Sequence, residues 1–121
     1  MDILTAEAKL TGWVGETTGL PELVFRGALP PGVREGFELK LVSGVPAGSD
    51  RVNEFTAEVT GISPEKGTLW ARFERLFAAL PLEKYDTFLY VDIRGVITFS
   101  MVEKEGLLLH AGKVELNAAF V

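Results

Sequence analysis

The chain has 121 residues, with 12 basic and 17 acidic side chains and a formal net charge of −5 at pH 7. This length fits a single domain over residues 1–121, whose folding buries about 60–70% of the unfolded chain's surface. The acidic balance excludes the basic footprint of a nucleic-acid-binding protein and disfavours contact with anionic membranes. The sequence has no cysteine and one histidine, which excludes disulfide frameworks, thiolate chemistry and multi-histidine metal centres within the chain.

Two features of the composition predict a source and a mode of action. Glutamine is absent and asparagine occurs only as Asn53 and Asn117, and this scarcity of thermolabile amides predicts a thermophile source. Hydrophobic residues make up 47% of the chain, and the mean hydropathy is +0.22. Because a small domain has little interior, part of this apolar content is expected at the surface, which predicts a homo-oligomer or a larger protein assembly.

Nothing in the sequence predicts export or a membrane span. The chain opens with Met1 and the acidic Asp2, where a signal peptide needs basic residues. The longest apolar run covers residues 76–82 and contains Pro81, whereas a spanning helix needs about 18 apolar residues. The expected location is therefore the cytoplasm, or a virion if the protein is viral.

Alternation of apolar and polar residues, the pattern of half-buried strands, dominates the first half of the chain. Glycine-rich residues 12–19 interrupt it, and Pro30 and Pro31 favour a turn because proline lacks a backbone donor. The strands predicted in this half cover residues 6–11, 23–25, 37–41 and 55–59.

Residues 64–80 are compatible with two structures. A helix would place Leu69, Phe73 and Leu76 on one stripe, after a start at Ser63. A hairpin would instead use residues 64–67 as its turn and would point Trp70, Arg72 and Glu74 outward. Gly67 favours the hairpin, since glycine inside a helix costs about 1 kcal/mol. The hairpin is the preferred prediction, followed by one short helix near residues 76–85.

The last third of the chain predicts more strands with turns between them. The turn expected at residues 103–106 has the composition of the hairpin turn expected at residues 64–67. The predicted strands cover residues 87–93, 96–102, 107–111 and 113–121. The predicted fold is therefore mainly β: a β-sandwich or a closed β-barrel of about eight short antiparallel strands.

One group of residues is predicted to form an interaction surface. Alternating positions of the strand at residues 87–93 share one sheet face, and the strand with Trp70 and Arg72 is expected beside it, with Arg72 opposite Asp92. Such a mixture of aromatic and charged residues is typical of binding surfaces, although an ordinary solvated face has similar cross-strand pairs. The predicted surface consists of Trp70, Arg72, Phe88, Tyr90, Asp92 and Arg94.

The sequence predicts no catalytic, cofactor or metal site. His110 has no acidic or nucleophilic neighbour in the sequence that would give it a catalytic role. Glu103 and Glu105 flank Lys104 in a turn, where they are expected to be solvated. Phosphate-binding glycine loops, nucleophile elbows, zinc motifs and calcium loops are absent. We therefore expect a protein that is not an enzyme and carries no cofactor.

From Phe37 onward the predicted order is a strand, a loop, the strand around Glu58, a hairpin with the sequence from Arg72 to Glu74, and a short helix. This order of elements, from Phe37 to Phe73, resembles the later half of a PilZ domain. The resemblance implies a barrel that binds a small ligand or nucleotide. PilZ domains hold cyclic di-GMP through R-x-x-x-R and [D/N]-x-S-x-x-G motifs, and this chain has neither.

Three functions are compatible with these observations. The leading prediction is a non-catalytic structural or assembly subunit that acts through protein–protein contacts, such as a virion capsid or tail component. The first alternative is the PilZ-like barrel, with ligand contacts near Arg26, Arg34 or Arg51. The second is a sugar-binding module in which Trp70 and Tyr90 form a stacking platform. No nucleic-acid or membrane partner is expected.

Overall fold

The structure is a computed structural model that describes residues 2–45, 53–86 and 88–120. The described residues form two helices and six strands. In chain order these are α1 (Ile3–Thr18), β1 (Val24–Phe25), β2 (Gly36–Val45), β3 (Asn53–Ser63), α2 (Lys66–Ala78), β4 (Leu82–Glu83), β5 (Phe88–Lys104) and β6 (Leu107–Phe120).

The strands form one sheet with the order β1-β2-β3-β6-β5-β4. Neighbouring strands are antiparallel except for β1 and β2, which are parallel. The sheet curls into a half-barrel, and the mainly β fold class is confirmed. The expected closed barrel or sandwich of eight short strands is wrong, because both helices cover one face of a single sheet.

The first element is a helix, not the strand predicted at residues 6–11. The carboxylate of Asp2 caps α1 by accepting the Thr5 backbone N–H at 2.8 Å. Buried residues then recur at helical spacing, at Ala6, Leu10 and Val14. The glycines expected to break a strand lie within this helix or at its end.

A second correction concerns residues 64–80, which form α2 and not a hairpin. Leu69, Phe73 and Leu76 are fully buried on the stripe of the helical alternative. Gly67 lies in the first turn of α2 with open space around it, so the preference of glycine for turns does not prevent the helix from forming there. The short helix predicted near residues 76–85 is also wrong, since α2 ends at Ala78 and the chain continues into β4.

Strands β2 and β3 confirm the predictions for residues 37–41 and 55–59, and β1 lies within the predicted strand at residues 23–25. The last four predicted strands merge into two. Residues 87–93 and 96–102 belong to β5, and residues 107–111 and 113–121 belong to β6, so far as they are described. The two strands form a long hairpin, whose turn at Glu105 and Gly106 has positive φ angles of 53° and 80°.

The main core lies between the helices and one face of the sheet. Phe73 of α2 is central to it, because its ring lies 5.4 Å from the ring of Phe37 at an angle of 75°. The ring also lies over Gly61 and Gly112, where a Cβ atom would come within 2.8 and 2.7 Å of Phe73 Cε2. Glycine in the two central strands therefore makes room for this aromatic residue.

A smaller apolar cluster covers the opposite face of the sheet at one end. It consists of Leu29, Ile62, Leu109 and Ala111, with Phe25, Val33 and Val102 packed against it. Leu29 and Val33 come from the segment between β1 and β2, so this segment covers one face of the free end of the β5–β6 hairpin.

Candidate interaction surface

The structure separates the residues predicted to share one surface. Trp70 and Arg72 lie on α2, so the expected cross-strand pairing of Arg72 with Asp92 is wrong. Arg72 instead forms an ion pair with Glu35, and Asp92 lies opposite Asn117 of β6. The sequence pattern placed Arg72 on a strand because residues 70, 72 and 74 alternate with the apolar residues 69, 71 and 73.

Phe88 is a core residue and not a surface residue. Its side chain is 2% exposed and belongs to the main core, where its ring lies 6.4 Å from the ring of Phe55. Phe88 also pairs with Phe120 across the sheet. Phe88 and Tyr90 are two positions apart, which in a regular strand places two side chains on one face, but a register shift between them points these side chains to different faces.

Tyr90, Asp92 and Arg94 do share a sheet face, as the alternation predicts, and it is the face free of helices. The Arg94 guanidinium lies 4.0 Å from the carboxylate of Glu115. Burial raises the pKa of Tyr90 above its ordinary value of 10.0, and the nearby charge of Glu54 and its hydrogen bond raise this pKa further. Trp70 lies on the helix side of the sheet, so it cannot form a stacking platform with Tyr90.

A polar recess opens on this helix-free face. Its volume is about 200 Å³, and the hydroxyl of Thr56 donates a 2.7 Å hydrogen bond to Asn117 Oδ1 beside it. Arg94 is the basic residue in its wall. Ser43, Glu54, Thr56, Tyr90, Arg94 and Asn117 supply its polar side chains.

A group of exposed apolar side chains lies at the free end of the β5–β6 hairpin, on the face towards α2. The rings of Trp70 and Phe99 are 5.5 Å apart, and Met101 follows Phe99 on the same face of β5. The cross-strand partner of Met101 is His110, and Leu108 lies beside His110 on the same face of β6. We call Trp70, Phe99, Met101 and Leu108 the hairpin patch; their exposed fractions are 42%, 41%, 50% and 68%.

Sequence reasoning named only Trp70 among these residues. Phe99 and Met101 lie two positions apart in the predicted strand at residues 96–102, a spacing that places both side chains on one face of a strand. Beside them is an apolar recess of about 240 Å³, which Lys66 and His110 also line.

The outer edge of β5 is largely unpaired. The short strand β4 pairs only with Tyr90 and Val91, and in the described parts of the chain no other strand borders this edge. A register shift interrupts β5 between Arg94 and Thr98. Residues 98–104 are in continuous register with β6, so they form a regular strand with one open edge.

The remaining sequence predictions concern ligands and membranes. Arg26 lies 3.4 Å from Glu7 in an ion pair, Arg34 is exposed, and Arg51 lies outside the described residues. Among the described residues, no three histidine or acidic side chains are grouped so that they could hold a metal ion. No helix in the described ranges is long and apolar enough to span a membrane.

Comparisons with protein families and with curated proteins found no relative of this chain. No protein-family model matches the chain, and no curated protein is significantly similar to it in sequence.

Proposed function

We propose that this protein is a non-catalytic assembly subunit that self-associates through the hairpin patch. The observation that carries this proposal is the exposure of contiguous large apolar side chains at the free end of the hairpin. Contiguous apolar surface on a soluble protein is a mark of an interaction site, because water contact with it is unfavourable. Burial against another chain would remove this unfavourable contact.

The composition of the patch supports a protein interface. Aromatic residues and methionine are enriched at the centres of such interfaces, and charged residues are more frequent at their rims. The hairpin patch contains Trp70, Phe99 and Met101 at its centre. Lys66 lines the adjoining recess, and Glu103 is the exposed cross-strand neighbour of Leu108. The arrangement therefore has an apolar centre with charges at its border.

The patch is also attached to the core, which favours binding. The ring of Phe99 lies 6.3 Å from the ring of the buried Phe73 at an angle of 86°. A side chain that is already held in place loses little conformational entropy when a partner covers it. Burial of such a preorganised surface therefore stabilises a complex more than burial of mobile side chains does.

Self-association of this kind suits a repeated structural unit. We propose that the protein forms a homo-oligomer or belongs to a larger shell or tube, such as a virion capsid or tail. The scarcity of amide side chains supports a heat-adapted source for such an assembly.

Light scattering behind a sizing column, over a wide range of protein concentration, tests the proposal. We expect a mass above the 13.2 kDa of one chain, and a return to that mass in Met101→Lys. Val42→Lys is the matched control, because Val42 is 51% exposed and Met101 is 50% exposed, but Val42 lies on β2 away from the patch. A wild-type mass of 13.2 kDa at every concentration would contradict self-association.

A second candidate function, small-ligand binding, is favoured by the polar recess on the helix-free face. Its hydroxyl groups and the Arg94 guanidinium can donate hydrogen bonds to a small anion, against the opposing charge of Glu54 in the same wall. Titration with inorganic phosphate, followed by NMR, tests this candidate. Shifts at Asn117 that disappear in Arg94→Ala but persist in Arg34→Ala would support it, and an unshifted spectrum would eliminate it.

A further inference from the structure

The regular part of the open β5 edge has defined limits. The register shift between Arg94 and Thr98 limits it on one side, and the hairpin turn at Glu105 and Gly106 limits it on the other. Between these limits, residues 98–104 pair with β6 on one side, and no strand among the described residues pairs with their other side. An unpaired regular edge offers a row of backbone donors and acceptors to another strand.

Natural proteins protect such edges with bulges, prolines, charges or short edge strands. Here these devices lie at the ends of the stretch: β4 and the register shift on one side, and Glu103 and Lys104 on the other. Phe99, Ser100 and Met101 carry no charge and are exposed near its middle. The centre of the edge is therefore open to pairing.

We infer that residues 98–104 of two copies pair antiparallel along this edge, with the two-fold axis at Met101. This inference rests on the proposed self-association and specifies its geometry. Placing the axis at the midpoint allows every residue of the regular stretch to pair, whereas any other register leaves part of it unpaired. The pairing is isologous, so the same surface serves both copies and the assembly closes as a dimer unit.

The side chains fit this register. Met101 lies opposite Met101 of the second copy, and Phe99 lies opposite Glu103 of the second copy. A two-fold axis perpendicular to the sheet keeps corresponding faces on the same side, so the two hairpin patches meet at the seam, where the Met101 side chains of the two copies cover apolar surface of each other. No like charges lie directly opposite each other, an arrangement that would destabilise the pairing.

Charge complementarity supports the second copy as the occupant. Lys66 and Phe99 line the same recess, so Glu103 opposite Phe99 comes close to Lys66 of the other copy. Within the described part of one chain, neither Glu103 nor Lys66 forms an ion pair. The two-fold arrangement brings these opposite charges together twice, once for each copy.

Disulfide cross-linking tests the register directly, because the natural chain has no cysteine. Opposed residues of antiparallel strands have Cα atoms about 4.5–5.5 Å apart, which is within the range that a disulfide spans. We therefore expect Met101→Cys to oxidise to a dimer, with a shift in mass from 13.2 kDa to twice that value.

Thr98→Cys is the matched control on the same exposed strand. In the inferred register its two copies lie about 20 Å apart, so it stays a monomer under the same oxidation. A mixture of Thr98→Cys and Lys104→Cys is expected to form the mixed disulfide, because these positions are opposed. The mixture also tests the register if Met101→Cys does not fold.

The outcomes separate this inference from the proposed function. Selective cross-linking of Met101→Cys, or of the mixture, supports edge pairing. A multimer in light scattering whose Met101→Cys variant cross-links no better than Thr98→Cys overturns edge pairing but leaves self-association in place. A monomer in light scattering without selective cross-linking overturns both.

Discussion

Trp70 on α2 and Phe99 on β5 lie with their ring centroids 5.5 Å apart, and each remains about two-fifths exposed. The contact joins the helix to the free end of the hairpin. It also places an aromatic pair at the surface next to the core residue Phe73. Trp70 belongs to the hairpin patch and Phe73 belongs to the core, so substitutions of these two residues perturb the patch and the core separately.

Two neighbouring residues of α2 provide that separation. We expect Phe73→Ala to lower the free energy of unfolding by about 3–5 kcal/mol, because it opens a cavity beneath three aromatic contacts. Trp70→Ala is expected to lower it by about 1–2 kcal/mol and to weaken self-association more than it weakens folding. Urea denaturation and sedimentation of both variants measure the two effects. Equal loss of stability in both would show that Trp70 is a core residue.

The salt dependence of self-association reports its apolar character. Sodium sulfate strengthens apolar burial, so we expect it to lower the dissociation constant of the wild-type assembly. Met101→Lys should raise that constant about tenfold or more, since burial of a methionine side chain contributes about 1.5–3 kcal/mol. Val42→Lys changes a residue of β2 that is 51% exposed, compared with 50% for Met101, and should leave the constant unchanged. Weakening by sulfate would point to an interface held by charges.

Gly112 leaves no room for a larger residue. A Cβ atom at this position would lie 2.7 Å from Phe73 Cε2, so we expect Gly112→Ala to destabilise the fold by about 1–3 kcal/mol. Gly12→Ala is the control: Gly12 lies in α1 with open space around it, and the change should stabilise by about 0.4–1 kcal/mol. Denaturant unfolding of both variants checks the opposite signs, and a neutral Gly112→Ala would contradict the packing.

The raised pKa of Tyr90 predicts that the folded protein loses stability at high pH. Burial and Glu54 raise its pKa in the folded state above 10.0, so the unfolded chain loses this proton first as pH rises. The contribution of protonated Tyr90 to the free energy of unfolding is complete below pH 10 and is lost as pH rises through the pKa of Tyr90 in the folded state. Unfolding measured between pH 8 and 11 should show a smaller loss in Tyr90→Phe than in the wild type.

The pKa of Tyr90 can also be measured directly. Tyr85→Phe leaves Tyr90 as the only tyrosine, so the absorbance of tyrosinate reports it alone. We expect a value above 10.0 in this variant, and a lower one when Glu54→Gln is added. A pKa unaffected by Glu54→Gln would show that burial alone accounts for the shift.

The predictions from sequence were right where a strand has one covered face. Along β3, Phe55, Ala57 and Val59 are buried against the helices, whereas Glu54 and Glu58 on the other face are not. Thr56 is also buried on that other face, where it donates a hydrogen bond to Asn117, so the period of two reflects burial except at Thr56. The alternation also placed Tyr90, Asp92 and Arg94 on a common face correctly. In these strands, local pattern and tertiary environment agree.

Both helices were mistaken for strands for a common physical reason. Positions i and i+4 lie on the same side of a strand and on the same side of a helix. Ala6 and Leu10 in α1, and Leu69 and Phe73 in α2, have this spacing and fit either period. The space over Gly61 and Gly112, which Phe73 fills from a helix, comes from strands far away in the sequence.

The amino-acid sequence alone specifies the acidic charge, the absence of cysteine, the turn at Glu105 and Gly106 and the faces of β2 and β3, because these depend on composition or on neighbouring residues. The exposure of Phe99 and Met101 and the open edge of β5 arise only when the chain folds. Whether an apolar face is covered depends on which distant segment reaches it. Here the segment with Leu29 covers one face of the hairpin end, and α2 stops short of covering the other.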